Sequence, residues 1–135
     1  MSGNRLAGRA RDARRLGLSG YTDGMAAAAI RQRALTEFVT RLRRALEVNL
    51  VDVRLFGSEA RGDATPESDI DVLVVVRPDE ARIPLEDRII DLAFDVNVEF
   101  GVYISPRVVT PGILDHPVWG ATPFLANVIR DSVAL

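Results

Sequence analysis

The stretch that most restricts how this chain can fold runs from Asp69 to Val76, because after Asp71 it is wholly apolar: Val72-Leu73-Val74-Val75-Val76. A short continuous apolar run of this kind fits an inner strand covered on both faces. Arg77-Pro78-Asp79 closes it. Any fold that accepts this run must therefore set a sheet between two layers. The chain is 135 residues long, 47% hydrophobic and 27% charged, enough for one real core but not for a separate substrate domain of ordinary size.

The neighbouring segments supply the rest of the sheet and its cover. From Met25 to Val48, Ile30, Ala34, Phe38, Leu42 and Ala45 recur at three and four residues, the period of an amphipathic helix. Arg33, Glu37, Arg41 and Arg44 fall elsewhere on the cylinder, and this Arg-rich side reads as solvated. Val51 to Phe56 alternates apolar and polar, as a half-buried strand does. Gly57-Ser58 ends it, Ser58 to Arg61 reads as a helical turn closed by Gly62, and residues 63–68 are a loop by composition. Pro84 to about Glu99 is a second helix, with Leu85, Ile89, Leu92, Ala93 and Val96 inward and Gly101 as its cap. Asp87, Asp91 and Asp95 form an acidic ridge on that helix, read as a solvated face. Val102 to Thr110 reads as a third strand, placed at an edge by Pro106. Residues 111–122 read as loop and Pro123 to about Asp131 as a last short helix, with Trp119 and Phe124 expected to anchor this segment to the core. His116 reads as a loop residue making a local hydrogen bond.

Composition excludes several kinds of function. There is no Cys, hence no disulfide, thiolate metal site or thiol nucleophile. No apolar run approaches the roughly 20 residues of a membrane span, and the Arg-rich N-terminus lacks the hydrophobic segment of a secretory signal, so a cytoplasmic protein is expected. Net charge is −2 and uneven. Residues 1–22 carry Arg5, Arg9, Arg11, Arg14 and Arg15 against Asp12 and read as a flexible or partly helical basic arm, with one domain over residues 23–135. No aromatic residue interleaves those Arg side chains, which argues against nucleic acid as a partner.

The chemistry is concentrated in Gly57-Ser58-Glu59-Ala60-Arg61-Gly62 and Ser68-Asp69-Ile70-Asp71. Gly57 allows backbone to approach a ligand with no Cβ in the way. The helix start that follows offers free N–H groups to phosphate, Ser58 adds a hydroxyl, and Arg61 one turn on adds a planar fork. Asp69 and Asp71, two apart on a strand, project to one face with Cα atoms about 6–7 Å apart. Carboxylates so placed repel unless cations lie between them. Mg²⁺ suits them, since it takes one or two carboxylates plus substrate phosphate oxygens.

On these residues the chain resembles the polymerase-beta-like nucleotidyltransferase superfamily, and within it the small stand-alone members called minimal nucleotidyltransferases. The match is specific over residues 51–76 and consistent in element order to residue 135. The resemblance implies an α+β fold, a small mixed β-sheet with helices packed mainly on one face. It implies transfer of a nucleoside monophosphate from an NTP, ATP foremost, to a hydroxyl, with two Mg²⁺ ions held by Asp69 and Asp71. Gly57, Ser58, Arg61 and Ser68 would bind the phosphates. Small members often pair with an all-helical toxin, and some add AMP to a tyrosine of that partner. The family's third carboxylate stands on a later strand, but the corresponding segment here, residues 102–107, has no acid. Glu99 is the nearest candidate. A strand starting earlier than Val102 would put Glu99, Tyr103 and Ser105 on one face, in competition with the helix reading. Without a third acid, the alternative is a catalytically weak or inactive antitoxin or interaction subunit.

Overall fold

The computed structural model describes residues 19–78 and 82–135. The basic arm read at residues 1–22 lies outside the described residues as far as residue 18. The first helix, α1, spans Ser19–Leu46 and so begins inside that arm. A single 3₁₀ turn, Glu47–Asn49, passes the chain into β1, Leu50–Phe56. The short helix α2, Gly57–Arg61, follows at once, capped by Gly62 in the left-handed conformation at φ 79°. Then come β2, Ile70–Val76, and α3, Arg82–Phe100. The chain finishes with β3, Ile104–Val109, α4, Pro111–Leu114, α5, Pro123–Asp131, and β4, Val133–Ala134.

The sheet is mixed, in the order β3-β2-β1-β4. β1 runs antiparallel to β2 and to β4, and β2 runs parallel to β3. The apolar run thus occupies an inner strand, and every residue from Val72 to Val76 is buried. β3 is an edge, where Pro106 costs no ladder bond on its outer side.

Alternation along β2 assigns its two faces. Ile70, Val72, Val74 and Val76 join Phe38, Leu42 and Leu46 of α1 and Ile89 and Val96 of α3 in the main core. Leu73 and Val75 face the other way and pack with Phe56, Val128 of α5 and the partly buried Leu114 of α4. Helices therefore lie mainly on one face, and the smaller cluster under α5 covers the other. Asp71 shares parity with Leu73 and so belongs to the α5 side.

Three local features depart from the sequence reading. A turn of helix, α4, interrupts the loop expected over residues 111–122. β4 was not foreseen, because two residues carry no period and their pairing with Arg54 and Leu55 is set by distant sequence. Trp119 is 60% exposed and does not anchor its segment. His116 behaves as expected: its Nδ1 accepts from the backbone N–H groups of Val118 and Trp119 at 3.1 and 3.2 Å.

One buried cation ties the helical layer to the functional loops. Arg31 on α1 is only 6% exposed. Its Nε and Nη2 donate to Glu59 Oε2 of α2 at 3.1 and 2.6 Å. Its Nη1 donates to the backbone oxygens of Ser68 at 2.7 Å and Pro66 at 3.4 Å. One guanidinium thus holds the helix that starts at Gly57 and the loop that leads into Asp69. A lone charge left at this depth would be costly. Arg31→Ala is expected to lower unfolding free energy by about 3 kcal/mol in urea titrations. Arg31→Lys, which keeps the charge but not the fork, recovers only part of that. Adding Glu59→Ala to Arg31→Ala should cost less than the two single losses summed.

Candidate functional site

The close approach of two chain segments defines the site. Phe56 ends β1 directly opposite Asp71 on β2. The next residue, Gly57, has φ +73°, a conformation that residues with a Cβ rarely adopt. A Cβ built on Gly57 would collide with Oδ2 of Asp71 and lie 3.2 Å from its Cγ. Glycine is therefore required twice, for the backbone turn and for the space that the carboxylate takes.

The Asp71 carboxylate, the Gly57–Ser58 turn and Arg61 line one wall of an open cleft of about 370 Å³, and α5 forms the other with Phe124 and Asn127. Burial pushes the Asp71 carboxyl up from its ordinary value, and the negative charge of Asp69 pushes it further. Arg107 and Arg61 pull it back in part. Among the described residues no group donates a hydrogen bond to Asp71. Asp69 is exposed at the strand's entrance, where the next residue, Ile70, donates its N–H to Tyr103 O at 2.8 Å. Asp69 is not among the residues that line the cleft, though its charge acts on Asp71, whose own charge the nearby arginines offset only in part. Among the described residues no three His, Cys, Asp or Glu side chains come together in a cluster able to hold a metal ion.

Not every sequence candidate reaches the cleft. The Ser68 hydroxyl instead closes the loop, accepting from Thr65 N at 2.9 Å and lying 3.1 Å from Thr65 Oγ1. Glu99 lies in the last turn of α3, where its Oε2 accepts from Nη2 of Arg41 at 2.7 Å. The α1 and α3 layer and the Asp71 cleft are on opposite sides of the sheet, so Glu99 is not brought to the aspartates. The helix carries through Phe100 because Asn97 secures its end. Asn97 exchanges hydrogen bonds with the backbone of Ile104, at 2.7 Å from Ile104 N and 3.1 Å to Ile104 O. The alternation over residues 96–105 is thus split between helix and strand.

Arg107 and Asp131, which sequence reasoning passed over, face the site, and so does Ser105, which it named only beside Glu99 and Tyr103. Ser105 sits beside Asp71 in the parallel register, and Arg107 sits beside Leu73 on the same face. Asp131 lines the cleft from the end of α5, bonded to Arg130 Nε at 3.0 Å, which holds its carboxyl below the ordinary value. Ser105 and Arg107 were findable, since they alternate along a strand adjacent to the acidic one. Asp131 was not, because only tertiary packing brings α5 over the Gly57 turn.

The raised Asp71 value has a consequence for stability. A carboxyl that binds its proton more tightly folded than unfolded stabilises the fold at low pH. That contribution disappears as pH rises through the folded value. Ionised Asp71 is therefore a burden on the metal-free protein at neutral pH. Asp71→Asn should raise the melting temperature by about 1–3 °C at pH 7 in the presence of a chelator. Differential scanning fluorimetry should show this gain vanishing towards pH 3–4.

Comparison with known proteins agrees with this geometry. The family of nucleotidyltransferase domains matches residues 35–128. A protein of Methanocaldococcus jannaschii named "Putative protein adenylyltransferase" is 33% identical over 105 residues, covering 77% of this chain and 96% of that protein. Another of the same name and organism is 36% identical over 74 residues, 55% of this chain and 74% of the relative. Among solved structures, one described as a "putative minimal nucleotidyltransferase" aligns with a TM-score of 0.50 at 27% identity, over 81% of this chain and 95% of that one. The chain thus belongs to the nucleotidyltransferase domain family, and by fold and sequence it is a nucleotidyltransferase of minimal size.

Proposed function

We propose that this protein transfers a nucleoside monophosphate from ATP to a hydroxyl on a partner protein. The carrying observation is the Asp71 carboxylate held, without hydrogen-bond donors among the described residues, in the space that Gly57 leaves open. The protein acceptor is inferred from the two relatives described above, each of which bears the name of a protein adenylyltransferase.

Asp69 and Asp71 would hold Mg²⁺, and bound Mg²⁺ supplies charge neutralisation and Lewis acidity at the phosphoryl group. The turn at Gly57 and Ser58 presents backbone N–H groups and a hydroxyl to the triphosphate. Arg61, half exposed on the same wall of the cleft, offers a fork to phosphate oxygens. In the transfer, the acceptor oxygen bonds to the α-phosphorus, the bridging bond to the β-phosphate breaks, and pyrophosphate departs with the electron pair. β3 supplies no carboxylate to take the hydroxyl proton, which leaves to water in the open cleft, so turnover is slow.

That same absence favours a second reading, binding without turnover in an antitoxin-like subunit. Ser105 and Arg107 occupy the β3 positions flanking the Asp71 face, with a hydroxyl and a cation in place of an acid.

The test is a labelling reaction with α-phosphate-labelled ATP, Mg²⁺ and the product of the adjacent gene, an all-helical toxin being the first acceptor to try. Label should appear on the partner and require Mg²⁺. Asp69→Asn, Asp71→Asn and Gly57→Ala should each reduce it on the order of 100-fold or more. Labelling that survives both Asn changes would overturn the transfer reading. ATP binding with no label, and a partner still neutralised by the doubly changed protein, would establish the second.

A further inference from the structure

The cleft has a second wall that the phosphate and metal chemistry leaves unused. α5 presents Phe124, Asn127 and Asp131 to it, three and four residues apart and so on one face of the helix. Phe124 is 51% exposed although its ring is large and apolar. Its contact with Phe56 is edge-on, with centroids 6.0 Å apart and planes at 84°. A T-shaped pair uses only an edge or one face of each ring, so at least one face of Phe124 stays open. One turn further, Asn127 is exposed and carries both a donor and an acceptor on a single amide.

Resting on the nucleotide reading of the previous subsection, we propose that α5 is the nucleobase subsite, with Phe124 stacking on the base and Asn127 reading an adenine edge. Aromatic side chains stack on any base. An amide pairs bidentately with the N6 amino group and N7 of adenine and presents the wrong pattern to guanine, which has two acceptors there. The dimensions agree: about 370 Å³ is within the range of small-ligand clefts, and Asp71 and the Gly57–Ser58 turn lie on the facing wall. Phe124 reaches that wall through Phe56, the residue paired with Asp71, so the base platform and the metal-binding carboxylate share one rigid support.

The experiment measures binding to the full chain, by calorimetry in Mg²⁺, of the α,β-methylene analogues of ATP and GTP and of inorganic tripolyphosphate. Phe124→Ala should weaken the ATP analogue about 10-fold or more and leave tripolyphosphate unchanged. Phe124→Trp should bind like wild type. Asn127→Ala should narrow the preference for the ATP over the GTP analogue. If Phe124→Ala disturbs folding, Phe124→Leu keeps the packing on Phe56 and removes only the ring. Unchanged ATP-analogue affinity in Phe124→Ala and Phe124→Leu, or equal weakening of tripolyphosphate, would overturn the base subsite while leaving the phosphate site intact. Wild-type protein that binds none of the three would overturn the nucleotide reading itself, and the subsite with it.

Discussion

Asp71 keeps its carboxylate in the space where any residue but glycine at position 57 would put a Cβ. This exclusion depends on the antiparallel pair Phe56–Asp71, which fixes the end of β1 against the start of β2. Once that pair forms, the chain must leave β1 through a left-handed residue, and the turn so made opens directly into α2. The open backbone turn and the crowded carboxylate are thus products of one strand pairing. Moving the register by one residue would turn Asp71 towards the main core and remove both at once.

The charges around Asp71 show how such an arrangement is tolerated. Burial and the neighbouring Asp69 disfavour its ionised form, while Arg107 and Arg61 favour it. Neither arginine donates a hydrogen bond to it, so the compensation acts through space and remains incomplete. The protein instead invests its strong polar contacts one layer away. Arg31 fixes Glu59 and the Ser68 carbonyl, which places the two loops without occupying the aspartates' oxygens. Structural rigidity and chemical availability are separated between neighbouring residues.

How much of this could be read from the chain depends on whether the signal was periodic. The inner strand, the two long helices, the edge position of β3 and the glycine turn follow from local pattern, and each stands where the pattern puts it. Ile70-Asp71-Val72 also reveals, by alternation alone, which side of the sheet the acid faces. Arg31 is not among the residues of α1 that the sequence reading places on the solvated side, namely Arg33, Glu37, Arg41 and Arg44, and that reading gives it no role. Yet Arg31 lies three, seven and eleven residues before Ala34, Phe38 and Leu42, on the buried stripe itself. An arginine in register with a core stripe is the signal that was available. Asp131, Phe124 and Asn127 gave no such signal, since their relation to Gly57 exists only after α5 folds back over the sheet. Glu99 shows the converse, a local alternation that was real in sequence but divided by the Asn97 clasp between helix and strand.

The replacement on β3 then takes on a physical meaning beyond a missing acid. A third carboxylate beside Asp71 would add to the repulsion already raising its proton affinity. Ser105 and Arg107 act in the opposite sense, a neutral hydroxyl next to Asp71 and a cation one step further on the same face. With only two carboxylates the local negative charge is lower, and a nucleotide bound as proposed would meet the cation of Arg107 beside them. On the proposed reading, such a site would favour capture of a nucleotide over removal of a proton from its acceptor.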